Sequence, residues 1–347
     1  MQYVSSLKAN LARAGLPTSA EGVRVVVVGE GNAANKPLTT HTQSVLQTMS
    51  GQIGLAQGAA IEVGLDTARP PFSALSGGSS MKLANVGAIG REVYLQGIAT
   101  RQRQLGEIVS RLPPNAPTTL VNMSNGVAMT TVLRHVLNEV KNAPAGSPLH
   151  GEVTALLGHP FAGDADLKTL GEHFGNVLRA ELSSPQLVAA QKALQNDVAV
   201  ARSHGVMVFK AAGNDLNKVQ VIGRASDWKP IDSVEGMISI GAIDLGANPT
   251  DSKDDKVAPF SVEGPVLGAV GMQVPLRAGD ANGTSYATPF ALSVAALMLK
   301  ANPKLKPDDL ERILKSTSFS VGDAKLKEVD VVKAVAMAAR EAKAAAK

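Results

Sequence analysis

The run Val23 to Val28 is apolar at every position but Arg24, and it stops abruptly at Gly29-Glu30-Gly31-Asn32. A short β-branched run of this kind, without polar alternation, predicts a strand buried on both faces whose C-terminal end opens into a loop. The pattern recurs in TTLVNMSNG (118–126), GVMVFKAAGN (205–214) and GMISIGAID (236–244), each an apolar run closed by small or polar residues. Between these runs the apolar positions repeat with helical spacing in stretches that begin at His41, Ser184 and Ser285. Strands that alternate with helices need crossover connections, so the predicted class is α/β, with a mainly parallel central sheet and helices on both faces. In open sheets of this type ligands gather beyond the carboxyl ends of the strands, where GEGN, SNG and AAGN fall.

Residues 127–183 interrupt the rhythm with two helical stretches around NAPAGSPLHGEV and GHPFAGDAD, which reads as an insertion on the same domain. The organisation expected is an N-terminal extension over 1–20, one domain over 21–340 carrying the insertion at about 127–183, and a basic tail over 341–347. The longest apolar candidate, Pro289 to Leu299, has the length of a buried helix and not of a membrane span, so no membrane partner is expected. The N-terminus lacks an apolar signal core, which predicts a cytoplasmic location or export by a signal-independent route. The absence of cysteine excludes disulfides, thiolate chemistry and cysteine-ligated metals. A net charge of +4 from scattered Lys and Arg, with only 3% aromatic residues, argues against a nucleic-acid partner. The acids of DSKDD (251–255) lack the spacing of a calcium loop and read as a solvated turn, so no cofactor or metal is expected. Nothing in the pattern sets an oligomeric state.

The chemistry concentrates in NGTSYATPF, residues 282–290. Ser285 opens a predicted helix after small residues, where a substrate can approach closely and the helix N-terminus favours negative charge. Alone, this stretch reads by default as a helix-capping serine. Acyl transfer by serine also needs an imidazole to take the proton, an acid to orient the imidazole, and donors for the developing oxyanion.

Gly283 to Pro289 resembles, position for position, the GTSxAxP nucleophile motif of the subtilase family of serine proteases. Downstream, AALMLKANPKLKPDDLERILKSTS is similar to the helix, proline-containing turn and second helix that follow the family's serine. The resemblance implies a subtilisin-like three-layer fold with Ser285 as nucleophile. VMVFKAAGND resembles the strand that ends in the family's oxyanion-hole asparagine, which falls on Asn214. TLVNMSNG is similar to VINMSLG, and this implies that Ser124, Asn125 and Gly126 bind substrate, joined by Gly213 and Thr284 from the other two motifs. The segment from MISIGAID to FSVEGP resembles a further family stretch, and all the pieces occur in the family's order.

His41 is the one histidine between the first strand and MSNG, so the resemblance implies that it is the base, although the family's HGTHVAG reads HTQSVLQ here. At the end of the first strand the family carries DSG or DTG, whereas this chain reads Gly29-Glu30-Gly31. Strict register puts Gly29 at the acid position, and a slip of one residue makes Glu30 the candidate orienting acid. The implied function is a serine endopeptidase with a polypeptide substrate. The altered acid and histidine motifs support a second reading, a pseudoprotease that binds an extended polypeptide without cutting it.

Overall fold

A computed structural model describes residues 2–30, 38–51, 54–66, 82–214, 230–246, 252–262, 265–276, 279–322 and 324–346. The strands are β1 (Arg24–Glu30), β2 (Ala60–Asp66), β3 (Thr119–Met123), β4 (Val206–Ala211), β5 (Ile238–Asp244), β6 (Lys256–Val257), β7 (Leu267–Val270), β8 (Val274–Leu276), β9 (Gly279–Ala281), β10 (Phe319–Ser320) and β11 (Lys327–Glu328). The main sheet runs β10-β11-β7-β5-β4-β3-β1-β2, with β6 on β5, while β8 and β9 form a separate antiparallel pair. Its ladders are parallel except β10 with β11 and β6 with β5. The chain steps from β1 outward to β2 and then back across to β3, so the order reverses between β1 and β3. That reversal splays the connections and opens a crevice at the carboxyl ends of these two strands.

Both faces of the sheet are covered, which is why its strands read as apolar runs and not as alternating ones. Val25, Val27, Leu120, Met207, Phe209, Ile238 and Ile240 share one core with helices α1 (Gln2–Arg13), α2 (Thr40–Ser50), α8 (Thr284–Ala301), α9 (Pro307–Thr317) and α10 (Val331–Ala344). The alternate positions Val26, Val28, Val121, Met123, Val206 and Val208 share the other core with α3 (Val86–Ser110), α4 (Met129–Asn142), α5 (Pro148–Leu157), α6 (Asp164–Leu182) and α7 (Pro185–Ser203).

Residues 127–183 hold three helices, α4 to α6, and not the two stretches expected from the pattern. Ser147 accepts from the His150 amide and Pro148 takes the first helical position, while Gly158 closes α5 with a left-handed φ of 77°. These start and stop signals excise a short helix from what reads as a connector. The 25-residue α3 and strand β2 had no counterpart in the pattern reading. Before β1, α1 buries Leu11 in the core, and Tyr3 stacks on Phe290 of α8 with ring centroids 6.0 Å apart. Among the described residues no helix is long and apolar enough to cross a membrane.

One edge of this core carries a testable electrostatic feature. Glu328 of β11 is 2% exposed and shares a side-chain hydrogen bond with Asp255. Burial, reinforced by the charges of Asp255 and Asp330, pushes its carboxyl from 4.5 up to about 9. Burial and the same acids also push the neighbouring Tyr3 phenol up. Between those two values the folded chain keeps a proton that the unfolded chain releases, so stability falls as pH rises through that window. Glu328→Gln removes the titration. Its melting temperature will exceed the parent's at about pH 8.5 and the advantage will shrink toward about pH 5. Thermal melts across this range check it, and a pH-independent difference would refute it.

Candidate active site

Helix α8 is buried along almost its whole length, from Thr284 to Leu299, and Ser285 sits in its first turn with 6% exposure. Pro289 lies inside this helix. Lacking an N–H, it cannot bond the carbonyl four residues back, and that carbonyl belongs to Ser285. A buried carbonyl needs a donor, and here Ser124 Oγ supplies it, donating to Ser285 O at 2.8 Å. Asn122 Nδ2 donates in turn to Ser124 Oγ at 2.9 Å. The proline of the motif thus frees an acceptor that fastens the C-terminal end of β3 to the serine's own residue.

Asn214 follows β4 and is held by the same helix start. Its Oδ1 accepts from the Thr284 amide at 2.6 Å and from Thr284 Oγ1 at 2.9 Å. A backbone N–H is always a donor, so the atom facing it is the amide oxygen and Nδ2 is turned away from Thr284. Thr284 Oγ1 also accepts from the Gly213 amide at 3.1 Å, and Gly213 has a φ of 110°, a conformation that favours glycine. A Cβ built on Gly283 would lie 3.0 Å from Ser285 Oγ and 3.2 Å from Asn214 Nδ2. The absence of that side chain leaves a space on which a hydroxyl and an amide donor converge. The amides of Tyr286 and Ala287 bond to Gly283 O. The Ser285 amide, also in the first turn, has no acceptor within the helix.

His41 lies half-buried in the first turn of α2. Its ring meets that of Tyr286, the residue after Ser285, edge-on with centroids 6.1 Å apart and planes at 63°. Burial raises the Tyr286 phenol pKa, offset in part by Ser44, three residues beyond His41 on the same helix. Gly29, His41, Thr42, Ser124 and Asn125 line a small cleft at the sheet's order reversal. At the acid position a Cβ on Gly29 would lie 2.5 Å from Thr42 Cγ2 and 3.0 Å from Thr42 Oγ1. Thr42 is 1% exposed, and its hydroxyl pairs with Thr39 Oγ1 at 3.1 Å in the cap of α2. A threonine therefore fills the space into which a side chain at position 29 would grow. Glu30 ends β1 opposite Asp66, and its side chain lies outside the described residues.

Behind Ser124 to Gly126 stands a buried ionic trio. Asp232 Oδ2 accepts from Arg101 Nε at 2.7 Å and from Lys210 Nζ at 2.9 Å. Both cations also donate to Asn125 O, Arg101 Nη2 at 3.4 Å and Lys210 Nζ more closely. Gly126 faces the same trio, since a Cβ there would lie 2.7 Å from Lys210 Nζ and 3.0 Å from Asp232 Oδ1. Burial alone would raise the Asp232 carboxyl, but the charges and hydrogen bonds of Lys210 and Arg101 outweigh it and hold the pKa low. Removing one member of such a group leaves buried charge uncompensated and costs about 3–5 kcal/mol.

Ser285, Asn214, Gly213, Thr284 and Ser124 thus meet at the carboxyl ends of β3 and β4. Asn125 and Gly126 form the strip in front of the trio, and His41 approaches through Tyr286. Pattern reading passed over Tyr286, Thr42, Arg101, Lys210 and Asp232. Lys210 gave a signal, as the one charge in the otherwise apolar stretch VMVFKAA. Arg101 is one of several charges on a long helix and gave none.

The exchange between Pro289 and Ser124 can be measured. Ser124→Ala leaves Ser285 O without its donor and will cost about 1–3 kcal/mol. In a Pro289→Ala background the helix regains an N–H for that carbonyl, so the same substitution will cost less. Denaturant unfolding of the four proteins gives the coupling, expected at about 0.5–3 kcal/mol. Strictly additive costs would mean that the two residues do not share this acceptor.

The geometry can be set beside known proteins. Residues 170–332 match the model of the subtilase family. Serine protease AprX of Bacillus subtilis (strain 168) is 32% identical over 143 residues, covering 33% of this chain and 31% of that protein. Subtilisin DY of Bacillus licheniformis is 29% identical over 151 residues, covering 43% of this chain and 52% of that protein. The chain therefore spans between about a third and a half of the length of these curated relatives. Among solved structures, MycP1 from Mycobacterium smegmatis aligns with a TM-score of 0.52 at 15% identity, covering 96% of this chain and 84% of that one. A mutant form of the protease domain of PatA aligns with a TM-score of 0.50 at 14% identity, covering 92% of this chain and 96% of that one. The chain shares the fold of these structures, and its residues 170–332, which carry Asn214 and Ser285, match the subtilase family.

Proposed function

We propose that the chain is a serine endopeptidase in which Ser285 attacks the scissile carbonyl, His41 is the base, and Asn214 Nδ2 with the Ser285 amide holds the oxyanion. The observation that carries this reading is the convergence of Ser285 Oγ and Asn214 Nδ2 on the space beside Gly283. Ser285 Oγ bonds to the carbonyl carbon as its proton passes to His41, and the carbonyl oxygen takes up the negative charge within reach of the donors. Collapse expels the amine, which leaves with the proton from His41, and water repeats the sequence to release the acid. An extended polypeptide pairs its backbone with Ser124 to Gly126, as added strands do, while Gly213 and Thr284 shape the same wall. Glu30 orients His41 in this reading. It needs no cofactor, nucleic acid or membrane.

The space at Gly29 filled by Thr42 favours a second reading, a pseudoprotease that holds a polypeptide without cutting it. Loss of the orienting acid in serine proteases costs about 10⁴ in turnover and leaves a residual rate, so the two readings differ in degree and can be separated. A fluorophosphonate probe followed by peptide mapping will label Ser285, and His41→Ala will abolish the labelling. Asn214→Ala will lower peptide turnover by about 10²–10³. A folded preparation that takes no label at Ser285 and cleaves no peptide in a library would sink the enzyme reading.

A further inference from the structure

Resting on that enzyme reading, we propose that Tyr286 is a second positioning residue for His41 beside Glu30, acting from the nucleophile's own helix where position 29 carries no carboxylate. The geometry supplies a direct contact. The Tyr286 ring meets the His41 ring edge-on at 6.1 Å, within the range in which aromatic rings prefer such an arrangement. Ser44, one turn along α2 from His41 and so on the same helix face, is near enough to the Tyr286 phenol to lower its pKa. One side chain therefore lies against the base and beside the helix that carries it. Because Tyr286 follows Ser285 directly, the spacing between hydroxyl and imidazole is set within the first turn of a buried helix.

The need for such a device comes from position 29. Thr42 fills the space at Gly29 and is committed to the helix cap through Thr39. An aromatic ring packed against an imidazole restrains its rotation. Tyr286 accepts no proton in the reaction; it acts through His41.

The test uses the full chain and the variants Tyr286→Leu and Tyr286→Phe, with folding checked by circular dichroism. Two readouts are followed: the rate at which a fluorophosphonate labels Ser285, and the His41 imidazole resonance, assigned by its loss in His41→Ala. Tyr286→Leu will lower the labelling rate by roughly 2- to 13-fold and move the His41 ring-current shift. Tyr286→Phe keeps the ring and will stay close to wild type in both readouts. Wild-type labelling and an unchanged His41 resonance in Tyr286→Leu would overturn the proposal. Should the wild-type protein take no label, the enzyme reading fails, and the His41 resonance alone then decides whether Tyr286 positions His41. Should Tyr286→Leu not fold, Tyr286→Met, which also removes the ring, takes its place with the same expected and overturning results.

Discussion

The carbonyl of Ser285 is the acceptor on which the arrangement turns. A helix normally consumes its own carbonyls, and a free one inside a protein is a liability. Pro289 releases this one, and the hydroxyl at the end of β3 takes it up. Two elements far apart in sequence, residues 124 and 285, are thereby registered at the atom level. Asn214 is registered to the same helix start through Thr284, so the ends of β3 and β4 are both referenced to one turn of α8. The helix itself cannot shift, because nearly every side chain along it is buried.

The polar groups behind this front are arranged by the same logic. Lys210 and Asp232 are 0% and 1% exposed, an expensive placement unless each charge is met. They are met by one another, by Arg101 and by the Asn125 carbonyl. Ion pairs of this kind are seldom net sources of stability against an apolar filling of the same shape. What they add is direction, since hydrogen bonds fix the Asn125 carbonyl from behind where apolar packing would only crowd it.

Much of this was legible in the chain because the sheet is buried on both sides, and such strands announce themselves as apolar runs ended by small polar residues. β1, β3, β4 and β5 were visible for that reason. Helix α3 was not, because helices and sheet pack around it and its apolar positions do not collect on one stripe; β2 was hidden because AIEVGLD, at the end of the strand order, mixes charge with apolar residues. The motif residues Ser285, Asn214, Thr284 and Ser124 could be carried over one by one. Residues acting through shape could not. That Thr42 occupies the space at Gly29, or that Tyr286 reaches α2, depends on distances across the fold that no local spacing encodes.

The filled space at Gly29 also constrains how this chain can change. A carboxylate introduced there meets Thr42 before it meets His41. Shortening Thr42 first strips the cap of α2 of a hydroxyl partner and opens a void beside the strand. Either order passes through a less stable protein, so single substitutions lead away from an acid at this position from both directions. The steric fit acts as a latch: with Thr42 in place, position 29 admits no side chain until the threonine gives way.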